Sequence, residues 1–169
     1  MNPALTPNLV LAVHPTTRGY GWILFDGPGS ALDWGIVSIR RSRSTRLLTR
    51  FERILARNHP ETLVLEDVDD ASESRGVRAT ELSRSMLHLA HCAGMRTSVF
   101  PRSAVRACFA ARGATTRAEV ARAVADEIPA LRPRLPAERK PWMPEGYSQS
   151  LFNAAAVAIT YYVARYYLG

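Results

Sequence analysis

The sequence predicts an α/β fold built on a five-stranded mixed sheet flanked by helices, and three observations predict it. Three apolar runs follow one another across short polar or glycine-rich turns before any helical pattern begins. Two further apolar runs alternate with stretches whose apolar residues recur at spacings of three and four. The remainder is helical by the same spacing. This order gives an antiparallel meander of the first three strands, with the fourth and fifth strands joining the first in parallel through crossover helices.

Leu9 to Val13 is a continuous apolar run, the pattern of a strand buried on both faces, and it stops at the polar turn His14-Pro15-Thr16-Thr17. Gly19 to Phe25 reads as a second strand, Asp26-Gly27-Pro28-Gly29 as a turn, and Leu32 to Ile39 as a third strand. Ser44 opens a helix with Leu47, Leu48, Phe51, Ile54 and Leu55 on one face, while Arg46, Arg50, Arg53 and Arg57 take other positions and Pro60 ends it. Thr62 to Glu66 is a strand that finishes in an acid. A helix follows from about Gly76 to Ala93, with Leu82, Met86, Leu89 and Ala93 at core spacing and Gly94 as its stop. Thr97 to Phe100 is the fifth strand, closed by Pro101. Ser103 to Ala111 and Arg117 to Ile128 are helical by period. Pro129 to Pro144, rich in Pro, Arg and Lys, reads as a loop extending to about residue 146, of a length that is usually functional or mobile. Ser148 to Tyr167 is a final helix, dense in alanine and ending in aromatics. There is no internal repeat, and residues 1–169 are expected to form a single domain.

Composition narrows the class. Hydrophobic residues make up 47%, ordinary for a globular chain, and no apolar run approaches the ~20 residues that span a bilayer. Residues Met1 to Pro7 lack the basic-then-apolar pattern of a secretory signal, so a cytoplasmic location is expected. Cys92 and Cys108 have no metal or disulfide spacing and are expected to be small buried thiols. The net charge of +7 fits a protein that meets a polyanion. Lys140 is the only lysine among the 22 basic residues, a skew that a GC-rich genome also produces.

In open sheets of this order, ligands bind beyond the carboxyl ends of the parallel strands, near the switch in strand order. His14 ends the first strand and Glu66 the fourth, so their side chains should converge there.

Four segments, in order, carry a resemblance. Leu9-Val-Leu-Ala-Val-His14-Pro15-Thr16-Thr17-Arg18-Gly19-Tyr20-Gly21 and Leu63-Val-Leu-Glu66-Asp67-Val68 resemble the strand-one and strand-four motifs of the RuvC family of Holliday junction resolvases, within the RNase H-like superfamily. Val105-Arg106 and Gly113-Ala-Thr-Thr-Arg117-Ala-Glu-Val120 match its basic region, and Asn153 to Thr160 its C-terminal helix. The resemblance implies an RNase H-like fold, DNA binding and a homodimer joined through the helix after Glu66, whose Leu82 and Met86 stripe suits either an interface or plain core. It also implies four acids holding two Mg²⁺ ions, one generating the nucleophile and the other stabilising the leaving oxygen.

Here the chain departs from that pattern. Glu66 stands at the strand-four acid, but His14, Ser150 and Asn153 stand where the other three are expected. Imidazole is a poor Mg²⁺ ligand and does not bridge two ions as a carboxylate does. Three aspartates at those positions would lower the net charge from +7 to +4, so part of the basic character comes from the centre itself. Glu66 and His14 are the remaining weak metal candidates.

Other residues are open to two readings each. Asp67, Asp69 and Asp70 form either a replacement metal site or a solvated loop, and the opposite facing of adjacent strand residues favours the loop. Arg18, Arg102, Arg106, Arg112 and Arg117 are the nucleic-acid-binding candidates, with Arg122 on the same helical stretch; the alternative is exposed helix surface. Trp142 and Tyr147 either stack on a base or pin the Pro-rich loop. Tyr161, Tyr162, Tyr166 and Tyr167 read as packing or dimer surface.

Three functions compete. The first is a catalytically degenerate RuvC-like protein that binds branched or duplex DNA by shape and phosphate contacts, without a cofactor, alone or in a larger recombination or repair complex. The second is an active, divergent endonuclease using Glu66, His14 and Asn153 with Mg²⁺ or Mn²⁺. The third is a structural or protein-interaction scaffold. Fold alone does not choose among them.

Overall fold

The structure, a computed structural model, describes residues 8–39, 44–67, 76–137, 142, 146 and 148–167. Strands β1 (Val10–Pro15), β2 (Gly19–Gly27) and β3 (Ser30–Ser38) form the antiparallel meander. Helix α1 (Ser44–Asn58) leads to β4 (Thr62–Glu66), and α2 (Val77–Cys92) leads to β5 (Arg96–Phe100). Then come α3 (Arg102–Ala110), α4 (Arg117–Glu127), a 3₁₀ helix (Pro129–Arg134) and α5 (Gln149–Tyr167). The five strands lie in the order β3-β2-β1-β4-β5, with β4 parallel to both β1 and β5.

Alternation along the central strands divides the core into two layers. Leu11, Val13, Leu63 and Leu65 face α1 and α2, where Leu47, Phe51, Ile54, Leu82, Met86 and Ala90 meet them. Val10, Ala12 and Val64 face the other way, onto α3, α4 and α5. Helix α5 is buried along most of its length because its small alanines let it lie directly on the sheet. The closest approach is at Gly21 of β2, where an added Cβ would fall 2.3 Å from the Ser150 carbonyl carbon. Only glycine leaves room there.

Several expectations are corrected. β1 runs through His14 and Pro15, which pair with Gly21 and Tyr20, so those two residues belong to the strand and not to a turn. The stretch read as a continuous loop from Pro129 begins with the 3₁₀ helix, whose Leu131 is fully buried; a single apolar anchor holds the turn to α4. In α2 the core stripe runs Ala79, Leu82, Ser83, Met86 and Ala90, leaving Leu89 half-buried and Ala93 exposed. Gly94 does stop the helix: at φ +72° its N–H donates to His91 O while Met95 N–H donates to Ala90 O, the paired bonds of a Schellman ending. Cys92 lies on the outer side of α2 and is exposed beside His88, and Cys108 is only half-buried, so neither is a core thiol. Leu82 and Met86 are core, since both are buried against the sheet. Tyr161 and Tyr162 are buried, with Tyr162 edge-on to Phe25, whereas Tyr166 and Tyr167 are exposed. No described helix is long and apolar enough to cross a membrane.

Candidate functional site

The β1–β4 register runs Val10–Thr62, Leu11–Leu63, Ala12–Val64. Two steps further along the same parallel ladder lie His14 and Glu66. Because side chains alternate, both continue the face carried by Ala12 and Val64, toward α3, α4 and α5. Asp67 is one residue out of phase; its N–H extends the ladder to Phe100 O at 2.7 Å and it does not line the cavity. Asp69, Asp70 and Tyr147 lie outside the described residues.

His14 and Glu66 open into a cavity of about 520 Å³, which also takes in Arg102, Arg106, Arg117, Thr115, Thr116 and Asn153. Each element delivers its residue for a local reason. Glu66 pairs with Phe100, the last residue of β5, and Pro101 then starts α3, so Arg102 is set just beyond the strand end. Arg106 follows one turn later on the same helical face. Thr116 caps α4: its side chain accepts from Glu119 N, and Glu119 Oε2 accepts from Thr116 N at 2.9 Å and Thr115 N at 2.8 Å. These backbone hydrogen bonds hold the Glu119 carboxyl down at about 2, and the closed cap sets Arg117 at the cavity. On α5, Gln149 Nε2 donates to Asn153 Oδ1 at 3.0 Å, and Asn153 Nδ2 lies 3.3 Å from His14 Nε2.

Of the residues singled out in the sequence, His14, Glu66, Asn153, Arg102, Arg106 and Arg117 therefore meet in one cavity. Ser150 does not line it. It is buried at 8% exposure, its backbone pressed on Gly21 one turn before Asn153. Arg112 is turned elsewhere, paired with Glu127 at 2.5 Å and lying over the Phe109 ring. Arg18 is exposed at the β1–β2 turn, outside the cavity, and so is Arg122 on α4. Trp142 is 76% exposed. Sequence reading missed Thr16, Thr17, Thr115 and Thr116 as lining residues; the Thr116–Glu119 spacing of a capping box was the signal that would have found Thr116.

Glu66, buried at 6% exposure, is the cavity's only carboxylate among the described residues, facing three arginines. Two divalent ions a few ångströms apart need several hard anionic oxygens to hold them. Among the described residues no group of three or more His, Cys, Asp or Glu side chains is placed to hold a metal ion. One carboxylate with an imidazole and an amide does not fit a two-Mg²⁺ centre. Among the described residues the arrangement offers three guanidinium groups against one carboxylate, a recess rich in hydrogen-bond donors and suited to a phosphate oxygen.

A mixed sheet of this order, with a polar recess beyond β1 and β4 on its α5 face, is an RNase H-like fold of the RuvC type. Solved structures bear this out. Similar chains include T. thermophilus RuvC in complex with a Holliday junction substrate (18% identity, 93% of this chain and 94% of that chain, TM-score 0.64). A further Thermus thermophilus RuvC structure gives 19% identity, 93% and 95% coverage and a TM-score of 0.63. The fowlpox virus Holliday junction resolvase gives 11% identity, 92% and 99% coverage and a TM-score of 0.51. The sequence matches no protein-family model and no curated protein sequence.

Proposed function

We propose that the chain is a RuvC-like nucleic-acid-binding protein that engages branched or duplex DNA through the cavity, by phosphate contacts, without hydrolysing it. The observation that carries this reading is the lining itself: Arg102, Arg106 and Arg117 line a site where Glu66 is the one carboxylate among the described residues. A cavity with that balance attracts phosphate directly, where a cluster of acids would repel it until metal arrived. The fold's likeness to a RuvC solved with a Holliday junction substrate supports a branched DNA as the natural shape to test. A dimer would let two cavities meet the arms of such a substrate.

The test is fluorescence anisotropy with a labelled four-way junction and a duplex in EDTA. Binding is expected without metal, steeply weakened by salt, and at least tenfold weaker for Arg106→Ala/Arg117→Ala. Binding that ignores that double substitution would overturn the reading. The competing reading, a divergent nuclease with one Mg²⁺ or Mn²⁺, rests on Glu66 and His14 sharing the cavity. It predicts strand cleavage that vanishes in Glu66→Gln.

A further inference from the structure

Helix α1 carries a second basic feature on the opposite layer of the sheet. Arg46, Arg50, Arg53 and Arg57 fall at successive offsets of four, three and four, so they share one narrow face of the helix. The polar half of α1 is thus divided. Thr45, Thr49 and Glu52 line a groove shared with α2, while the arginines take the other side. Arg57 pairs with Asp33 of β3, which fixes the line on the flank next to the β3 edge. Among the described residues Arg46, Arg50 and Arg53 are exposed and make no ion pair.

This arrangement works against the helix itself. The first turn of α1 has no acid and contains Arg46, where the positive end of the helix dipole disfavours a cation. Arg46 and Arg50 are a like-charge pair one turn apart, as are Arg53 and Arg57, and such pairs are destabilising. A GC-rich genome would account for the residue type but not for gathering the charges in one line while Thr45, Thr49 and Glu52 hold the other flank.

Topology puts one end of the line beside the cavity's end of the sheet. β3 finishes at Ser38 opposite Gly19, and Ile39 N–H donates to Arg18 O at 3.1 Å, next to the carboxyl end of β1 where His14 lies. The chain leaves the sheet there, and α1 carries it back to β4, which starts beside Val10 at the other end. Arg46 therefore starts the line near the cavity's end, with exposed Arg18 at the turn between them, and Arg57 finishes it about 16 Å further on. Arg46 to Arg53, the part of the line outside the Arg57–Asp33 pair, takes up about 10 Å of that length, the axial rise of about three phosphates along one strand of a duplex.

We propose that Arg18, Arg46, Arg50 and Arg53 form a second phosphate-contacting track, which holds a duplex arm leaving the cavity along α1. The inference rests on the cavity binding nucleic acid and adds where the flanking duplex goes. It also gives Arg18 its place, outside the cavity but on the path away from it.

The experiment compares R46A/R50A/R53A with the unaltered protein on duplexes of about one and about three helical turns, with log Kd read against log salt. On the long duplex the variant should weaken binding roughly tenfold or more and lower the salt slope by about 2 to 3, close to 0.9 for each phosphate that the variant leaves unneutralised. On the short duplex the weakening should be much smaller. A control of equal charge, R132A/R134A/R165A, should leave the slope unchanged. Alanine removes repulsion within α1, so the thermal midpoint should stay or rise; should it fall, R46Q/R50Q/R53Q gives the same reading with the polar stems retained. An unchanged slope, or an equal weakening in the control, would overturn the track. So would polyglutamate binding that needs these arginines while duplex binding does not, since the line would then serve an acidic protein. If R106A/R117A has no effect while R46A/R50A/R53A does, the cavity reading and the path of the arm out of the cavity both fail, and only phosphate contact along α1 is upheld.

Discussion

Asn153 Nδ2 lies 3.3 Å from His14 Nε2, across a sequence separation of 139 residues. Gln149 already donates to Asn153 Oδ1, so the amide nitrogen is the group that faces the ring. With the amide nitrogen as donor, Nε2 must accept, which requires an uncharged ring with its proton on Nδ1. Two positions where the RuvC-type resemblance implies acids thus form a hydrogen-bonded pair.

That pairing predicts a defined tautomer. Nitrogen NMR of His14 should show an unprotonated Nε2 and a protonated Nδ1 at neutral pH. Asn153→Ala should erase the preference and cost about 1 to 2 kcal/mol in urea unfolding, since it breaks a half-buried hydrogen bond. An Nε2-protonated ring in the unaltered protein would contradict the assignment.

Gly21 should tolerate no side chain. Its Cβ would meet Ser150 and Leu151 backbone atoms at 2.3 to 2.4 Å, and neither strand nor helix yields cheaply. Gly21→Ala should destabilise the protein by ~1–3 kcal/mol or more. It should also weaken DNA binding, because α5 carries Asn153 into the cavity.

Acids in place of His14 and Asn153 should create a metal site. His14→Asp/Asn153→Asp places two carboxylates beside Glu66, without Ser150, which does not line the cavity. The unaltered protein should show no change in melting temperature with millimolar Mg²⁺. The double variant should melt lower in EDTA, through carboxylate repulsion, and regain several degrees with Mg²⁺.

The α4 cap gives a pH signature. The Glu119 carboxyl is held at about 2 by hydrogen bonds from Thr116 and Thr115, below its unfolded value near 4.5. Its contribution is therefore complete above pH 4.5 and is lost as the pH falls toward 2. The stability gap between the unaltered protein and Glu119→Gln should be constant at neutral pH and close over that acid range. Thr116→Ala should cost about 1 kcal/mol.

Arg112 should behave as a structural residue. Its pairing with Glu127 and the Phe109 ring predicts that Arg112→Ala costs up to about 1 kcal/mol and leaves the salt slope of DNA binding unchanged.

Strand order, element type and the convergence of His14 with Glu66 were legible because hydrophobic period and crossover rules act on short stretches of chain. The extent of β1 was not. The apolar run stops at Val13, but ladder pairing does not depend on side-chain polarity and continues to Pro15. Leu131 escaped notice because one buried leucine among prolines and arginines makes no period. Ser150 and Asn153 share a helical face in sequence, yet the depth at which α5 meets Gly21 decides that only Asn153 reaches the cavity. The arginines divide for the same reason. Both arginines follow β5 in one stretch of chain, yet packing turns Arg106 toward the cavity and Arg112 toward Glu127.

If the cavity that holds His14 and Glu66 binds nucleic acid without cutting it, junction DNA should be retained intact in the presence of divalent metal. The most direct measurement incubates the protein with an end-labelled four-way junction in Mg²⁺ and in Mn²⁺, dividing each sample between native and denaturing gels. A shifted complex is expected on the native gel and full-length strands on the denaturing gel. Shortened strands that disappear with Glu66→Gln would contradict the reading.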